Sequence, residues 1–123
     1  MTKPHYRVLI AEDEKNVLAY LVGVLTKQGY TVDATANGKQ ALEQIAKHKP
    51  DLLITDGVMP EMTGFELTRL IRSNDATKDI PILFCSAASQ EDLKEKGVKA
   101  DIYLHKPLDI EEFCAAVAQL LGG

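Results

Sequence analysis

Four short apolar runs each end on a residue able to handle a phosphoryl group or a hard metal ion. Val8-Leu9-Ile10-Ala11 leads into Glu12-Asp13, and Leu52-Leu53-Ile54-Thr55 leads into Asp56. Ile82-Leu83-Phe84-Cys85 leads into Ser86, and Ile102-Tyr103-Leu104-His105 into Lys106. Runs of this kind read as buried parallel strands, and open α/β sheets bind ligands beyond the carboxyl ends of their strands. On one sheet, three carboxylates, a hydroxyl and an ammonium would share a pocket. Two carboxylates ~5 Å apart repel by roughly 3 kcal/mol at an effective dielectric near 20. Such a cluster must raise a pKa or take up a cation. A divalent hard ion with oxygen ligands, Mg²⁺ by preference, neutralises the excess charge. No Cys/His grouping suggests zinc.

The same groups suit phosphoryl chemistry. A carboxylate beside a cation and a fixed ammonium is a nucleophile toward phosphorus, with Asp56 attacking in line and Lys106 stabilising equatorial oxygens. Ser86 would donate a hydrogen bond to a phosphoryl oxygen. Each residue also has an ordinary reading when taken singly. Glu12 or Asp13 suits a helix N-terminus, Asp56 a turn, Ser86 a cap, Lys106 a solvated surface and Tyr103 core packing. Their joint placement at strand ends favours a site.

The elements that position these residues alternate between strand and helix five times. Strands are expected at about 7–11, 31–36, 52–56, 82–86 and 102–106. Helices are expected after each, carrying Leu18, Leu21 and Leu25, then Ala41, Leu42 and Ile45, then Leu67, Leu70 and Ile71, then Leu93 alone, then Phe113, Val117 and Leu121. Gly29 stops the first helix, Asn37-Gly38 turns into the second, and Asp109 caps the last. The fourth helix, about 90–96, has one strong apolar residue and is expected to be a low-stability, mobile element. Alternating βα units imply a parallel sheet covered on both faces, here the doubly wound order 2-1-3-4-5 with five helices, a flavodoxin-like architecture. That order sets the first and third strands side by side, and with them Glu12, Asp13 and Asp56.

The 123 residues suffice for one domain, expected over 1–123, and 46% hydrophobic content supplies its core. Cys85 and Cys114 lie in apolar stretches, as reduced, packed thiols of a cytoplasmic protein would. The first apolar run is too short for a secretory segment, and no run spans a bilayer. Net charge is −4 with no basic stripe, which argues against direct nucleic-acid binding.

Ala11-Glu12-Asp13-Glu14, Asp56-Gly57-Val58-Met59-Pro60-Glu61-Met62-Thr63-Gly64, Ser86-Ala87 and Tyr103-Leu104-His105-Lys106-Pro107 together resemble the receiver domain of two-component response regulators, over residues 8–121. The resemblance implies that Asp56 is the phosphoacceptor, and that Asp13, Asp56 and the Val58 carbonyl bind Mg²⁺, with Glu12 reaching it through a water. It makes Ser86 the switch hydroxyl, Lys106 the phosphate-pairing lysine, and Tyr103 the aromatic that turns inward on activation. The surface of the fourth helix, fifth strand and fifth helix would then change shape. The Lys106-Pro107 bond is expected to be cis. Implied partners are a sensor histidine kinase or histidine phosphotransfer protein and a downstream effector or output domain, with the receiver a monomer or a phosphorylation-dependent dimer.

Three departures from the family pattern stand out: Glu at 12 in place of the commoner Asp, Gly57 where a bulky residue is usual, and apolar Val58 and Ala88 at the mouth. Gly57 is expected to loosen the loop. Val58 and Ala88 cannot position a water, so a long-lived phosphoryl group is expected. Both a stand-alone receiver and one excised from a larger regulator fit the chain's end after the fifth helix. The alternative function is a non-phosphorylated binding or dimerisation module. An aspartate-nucleophile phosphatase is disfavoured because the first strand lacks Asp-x-Asp, and an FMN binder because no phosphate loop follows that strand. The chain is expected to be a signalling phosphoacceptor and not an enzyme.

Overall fold

The computed structural model describes residues 5–122; residues 1–4 of the polar start and residue 123 of the terminal glycine pair lie outside it. Elements follow in the order β1 (Arg7–Ala11), α1 (Lys15–Lys27), β2 (Thr31–Thr35), α2 (Gly38–Lys47), β3 (Leu52–Asp56), α3 (Gly64–Ser73), β4 (Ile82–Ser86), α4 (Gln90–Glu95), β5 (Ile102–His105) and α5 (Ile110–Leu120). The sheet has five strands in the order β2-β1-β3-β4-β5, all parallel. This is the doubly wound flavodoxin-like arrangement that the alternating pattern predicts.

The two-residue period of each strand sorts its side chains between two layers. Val8, Ile10, Leu52, Ile54, Leu83 and Cys85 face α1 and α5, meeting Leu21, Leu25, Phe113 and Val117. Leu9, Ala11, Leu53 and Ile82 face α2 and α3, meeting Ala41, Ile45, Leu67 and Ile71. A smaller cluster of Phe84, Leu93 and Val98 lies under α4. Leu93 is the only buried residue of α4, as its composition predicts. Each fully buried Leu or Ile contributes roughly 1.5–3 kcal/mol, so the central strands are anchored far better than α4.

Side chains cap four of the helices. Asn37, Thr63, Ser89 and Asp109 accept hydrogen bonds from backbone N–H groups of α2, α3, α4 and α5. Asn37 is the cap of α2 and Gly38 its first residue, so the expected turn is a helix start. Glu14 at the start of α1 makes no side-chain cap, and no acid lies in that helix's first turn. Glu12 and Asp13 precede that helix and lie outside its first turn. Gly29, at φ +94°, ends α1, and both cysteines are free thiols. Among the described residues no helix is long and apolar enough to cross a membrane.

Gly23 lies in α1, exposed, with open space where a Cβ would project. Gly23→Ala should stabilise the chain by about 1 kcal/mol and raise Tm by roughly 4 °C. Thermal unfolding checks this, and an unchanged or lower Tm would contradict the helix assignment there.

Candidate functional site

The parallel register builds the site. Ala11 pairs with Thr55, so Glu12 and Asp56 end their strands as neighbours. Asp56 pairs with Cys85, and Ser86 with His105. Lys106, one residue beyond β5, donates its backbone N–H to the Ser86 carbonyl at 2.9 Å. The Lys106–Pro107 peptide is cis, as expected. The Lys106 ammonium lies 3.0 Å from Glu12 Oε1 and 3.2 Å from Asp56 Oδ2. Carboxylate oxygens of Glu12, Asp13 and Asp56 all lie within 4.8 Å of one another. The structure thus brings together four of the residues singled out in the sequence.

Burial differs across the cluster. Glu12 is 3% exposed, Asp56 half-buried and Asp13 exposed. Glu12 Oε1 takes the lysine, but its Oε2 is buried with no hydrogen-bond partner. A buried carboxylate oxygen without a donor costs free energy that a cation or a water offsets. An all-oxygen set with one open side fits a hard divalent ion, so Glu12, Asp13 and Asp56 can hold one. Burial, followed by the proximity of Asp56, pushes the Glu12 carboxyl up to about 7, against the lowering pull of Lys106. Burial alone would lower the Lys106 ammonium; its hydrogen bond to Glu12 and the charges on Asp56 and Glu12 outweigh that and raise it. The Cys85 thiol, behind the site, is pushed up to about 12 by burial and is inert.

The acceptor loop is tighter than the glycine at 57 suggests. Gly57 donates its N–H to Asp56 Oδ1 at 2.7 Å, and its carbonyl accepts from Gly64 N at 3.0 Å. A Cβ on Gly57 would meet Phe84, Ser86 Oγ and Phe65 at 3.2–3.3 Å. Phe65 of α3 occupies the room that a bulky residue would take, which corrects the expectation of a loose loop. A Cβ on Gly64 would stand 1.9 Å from the Asp56 carbonyl oxygen, so α3 starts hard against the acid. Val58 is 71% exposed and Ala88 half-buried; neither offers a polar side-chain atom at the mouth.

Ser86 is buried, and its Oγ accepts from Ala88 N at 3.1 Å; the cap of α4 is Ser89. Tyr103 does not reach the carboxylates. Its hydroxyl donates to the Val98 carbonyl and accepts from Ala100 N at 3.1 Å, with its ring 6.5 Å from that of Phe84. Its side chain is half-buried beside Phe84. Two contributors escaped the sequence reading. Thr35 Oγ1 donates to the Ile10 carbonyl, and the Thr35 carbonyl accepts from Glu12 N at 3.0 Å. A groove of about 870 Å³ runs from Asp56 past Val17, Tyr20, Leu21, Leu108 and Ile110. Thr35 carries no motif; the groove exists only once α1 and the segment after β5 are side by side.

A parallel sheet with this acid cluster and a strand-end lysine defines a phosphoacceptor class of α/β domain. The Response regulator receiver domain family matches residues 8–118, and the chain belongs to that family, whose function is phosphorylation on an aspartate. Response regulator ArlR of Staphylococcus aureus is 37% identical over 117 residues, covering 94% of this chain and 52% of the relative. The chain therefore spans about half the length of the curated relatives it matches. Response regulator protein TrrA of Thermotoga maritima, solved in complex with Mg²⁺-BeF, is 32% identical with TM-score 0.84, covering 94% of this chain and 99% of that one. Chemotaxis response regulator CheY4 of Vibrio cholerae is 29% identical with TM-score 0.88, covering 96% and 100%.

The raised Glu12 pKa has a signed consequence. Between about 4.5 and about 7 the folded chain holds a proton that the unfolded chain has lost, so stability falls as pH rises through that window. In chelator, the Tm of the chain relative to Glu12→Gln should fall from pH 4.5 to 7. Added Mg²⁺ should reverse the fall, most strongly at the upper end, because a metal takes the ionised carboxylate. A Tm difference that is flat with pH would contradict the assignment.

Proposed function

We propose that residues 1–123 form a single receiver domain whose phosphoacceptor is Asp56, acting in the cytoplasm as a signalling switch and not as an enzyme on other substrates. The observation that carries the reading is Lys106 Nζ held between Glu12 and Asp56, with Asp13 closing the cluster. Glu12, Asp13, Asp56 and the Val58 carbonyl would hold Mg²⁺. That ion, when bound, supplies positive charge against the carboxylates and the incoming phosphoryl oxygens.

The donor is a phosphohistidine on a sensor kinase or phosphotransfer protein. An Asp56 oxygen bonds to phosphorus as the donor's nitrogen–phosphorus bond breaks, and the imidazole keeps the electron pair. Gly57 N–H fixes Oδ1, leaving Oδ2, beside Lys106, as the nucleophile. The reaction replaces one negative charge with roughly two, and Lys106 then pairs with a phosphoryl oxygen. Ser86 would swing its hydroxyl from Ala88 N to the new anion. The groove beside α1, apolar along its walls and open to Asp56, suits an amphipathic helix of the donor. The output is a change in the surface of α4, β5 and α5, read by an effector or an output domain, with or without dimerisation.

Incubation with acetyl phosphate and Mg²⁺ should give one phosphoryl adduct by intact-mass spectrometry. It should be labile to hydroxylamine, absent in Asp56→Ala, and persistent for minutes because Val58 and Ala88 cannot orient a water. A mass that never changes supports a binding-only module instead, and steady phosphate release from diverse monoesters supports a phosphatase. Loss of the adduct within seconds would overturn the predicted lifetime.

A further inference from the structure

The start of α2 touches the acceptor loop at one point. Gly38 donates its N–H to the Met62 carbonyl at 3.0 Å. It is the first residue of α2, so its N–H has no partner inside the helix. A Cβ on Gly38 would lie 2.5 Å from that carbonyl oxygen and 2.9 Å from Met62 Cγ. Backbone sits on one side of this contact and, on the other, the start of a helix anchored by buried Ala41 and Ile45, so an added methyl must displace one of them.

Neither side yields easily. Asn37 Oδ1 accepts from Gln40 N at 2.8 Å, and Gln40 Oε1 accepts from Ala36 N at 2.9 Å, which locks the helix start. One turn on, Ala41 is buried in the same cluster as Met59. The loop is held at its base by the bond from Gly64 N to the Gly57 carbonyl, and inside by the 2.8 Å bond from Met62 N to the Pro60 carbonyl. Between them Glu61 adopts φ +70°, a conformation that costs a non-glycine residue free energy. The loop keeps that shape only while both ends are pinned.

Resting on the phosphoacceptor reading, we infer that Gly38 is a positioning residue: the N-terminus of α2, through its contact with Met62, sets the acceptor loop so that Asp56 and the Val58 carbonyl can take a divalent cation together. The loop has one pin at α3 and one at α2. Losing the second lets residues 58–62 shift while the sheet and Asp56 stay in place.

Calorimetric titration with Mg²⁺ tests this on the folded chain. Gly38→Ala should bind Mg²⁺ roughly tenfold more weakly, as expected when outer support of a metal site is lost. Gly23→Ala, with open space around it, should bind as the unsubstituted chain does. Coupling between two sites is reciprocal, so Mg²⁺ should slow hydrogen exchange at the Gly38 amide of the unsubstituted chain. That second measurement decides the matter if Gly38→Ala does not fold. Equal Mg²⁺ affinity in folded Gly38→Ala, or a Gly38 amide indifferent to Mg²⁺, overturns this inference alone. No Mg²⁺ uptake by the unsubstituted chain overturns the phosphoacceptor reading, and this inference with it.

Discussion

One lysine shared by two acids holds the site in a state of incomplete neutralisation. Lys106 Nζ is within 3.2 Å of both Glu12 and Asp56, yet the three clustered carboxylates carry more charge than one ammonium can balance. The remainder is visible as a buried oxygen of Glu12 without a donor, and burial, reinforced by Asp56, pushes that carboxyl up to about 7. A group of this kind gains from any added positive charge, and responds strongly when one oxygen is esterified. The free energy stored in that imbalance is what a switch needs.

The fold makes the imbalance affordable. Val8, Ile10, Leu52, Ile54 and Leu83 are buried on one face, and Leu9, Leu53 and Ile82 on the other. Those strands form a rigid base whose carboxyl ends can carry like charges without parting. One of the elements expected to respond, α4, is held less firmly. Helix α4 spans six residues with Leu93 as its buried anchor, and the small cluster beneath it joins Phe84 to Tyr103 and Phe65. A short aromatic path therefore leads from the wall of the acceptor loop to β5.

Much of this was legible in the chain because burial writes itself into strands as uninterrupted apolar runs, and their ends are marked by polar residues. Glu12, Asp13, Asp56 and Lys106 are found where those ends predict. Their distances required the register, since only the pairing of Ala11 with Thr55 sets Glu12 beside Asp56. Gly57 was misread because a glycine signals freedom locally, whereas Phe65, eight residues on, fills the vacancy. Tyr103 shows the same limit: its hydroxyl partners are backbone atoms of Val98 and Ala100, which no side-chain pattern announces. Thr35 and Gly38 act through carbonyls of Ile10 and Met62, and such contacts appear only in three dimensions.

The central claim is that Asp56 and a divalent cation form one phosphoryl-binding unit. Fluorine NMR of the chain with beryllofluoride, a phosphoryl mimic, tests both halves at once. The account predicts bound fluorine resonances that appear only when Mg²⁺ is present and vanish in Asp56→Asn. Bound resonances that persist without Mg²⁺ or in Asp56→Asn, or none under any condition, would contradict it.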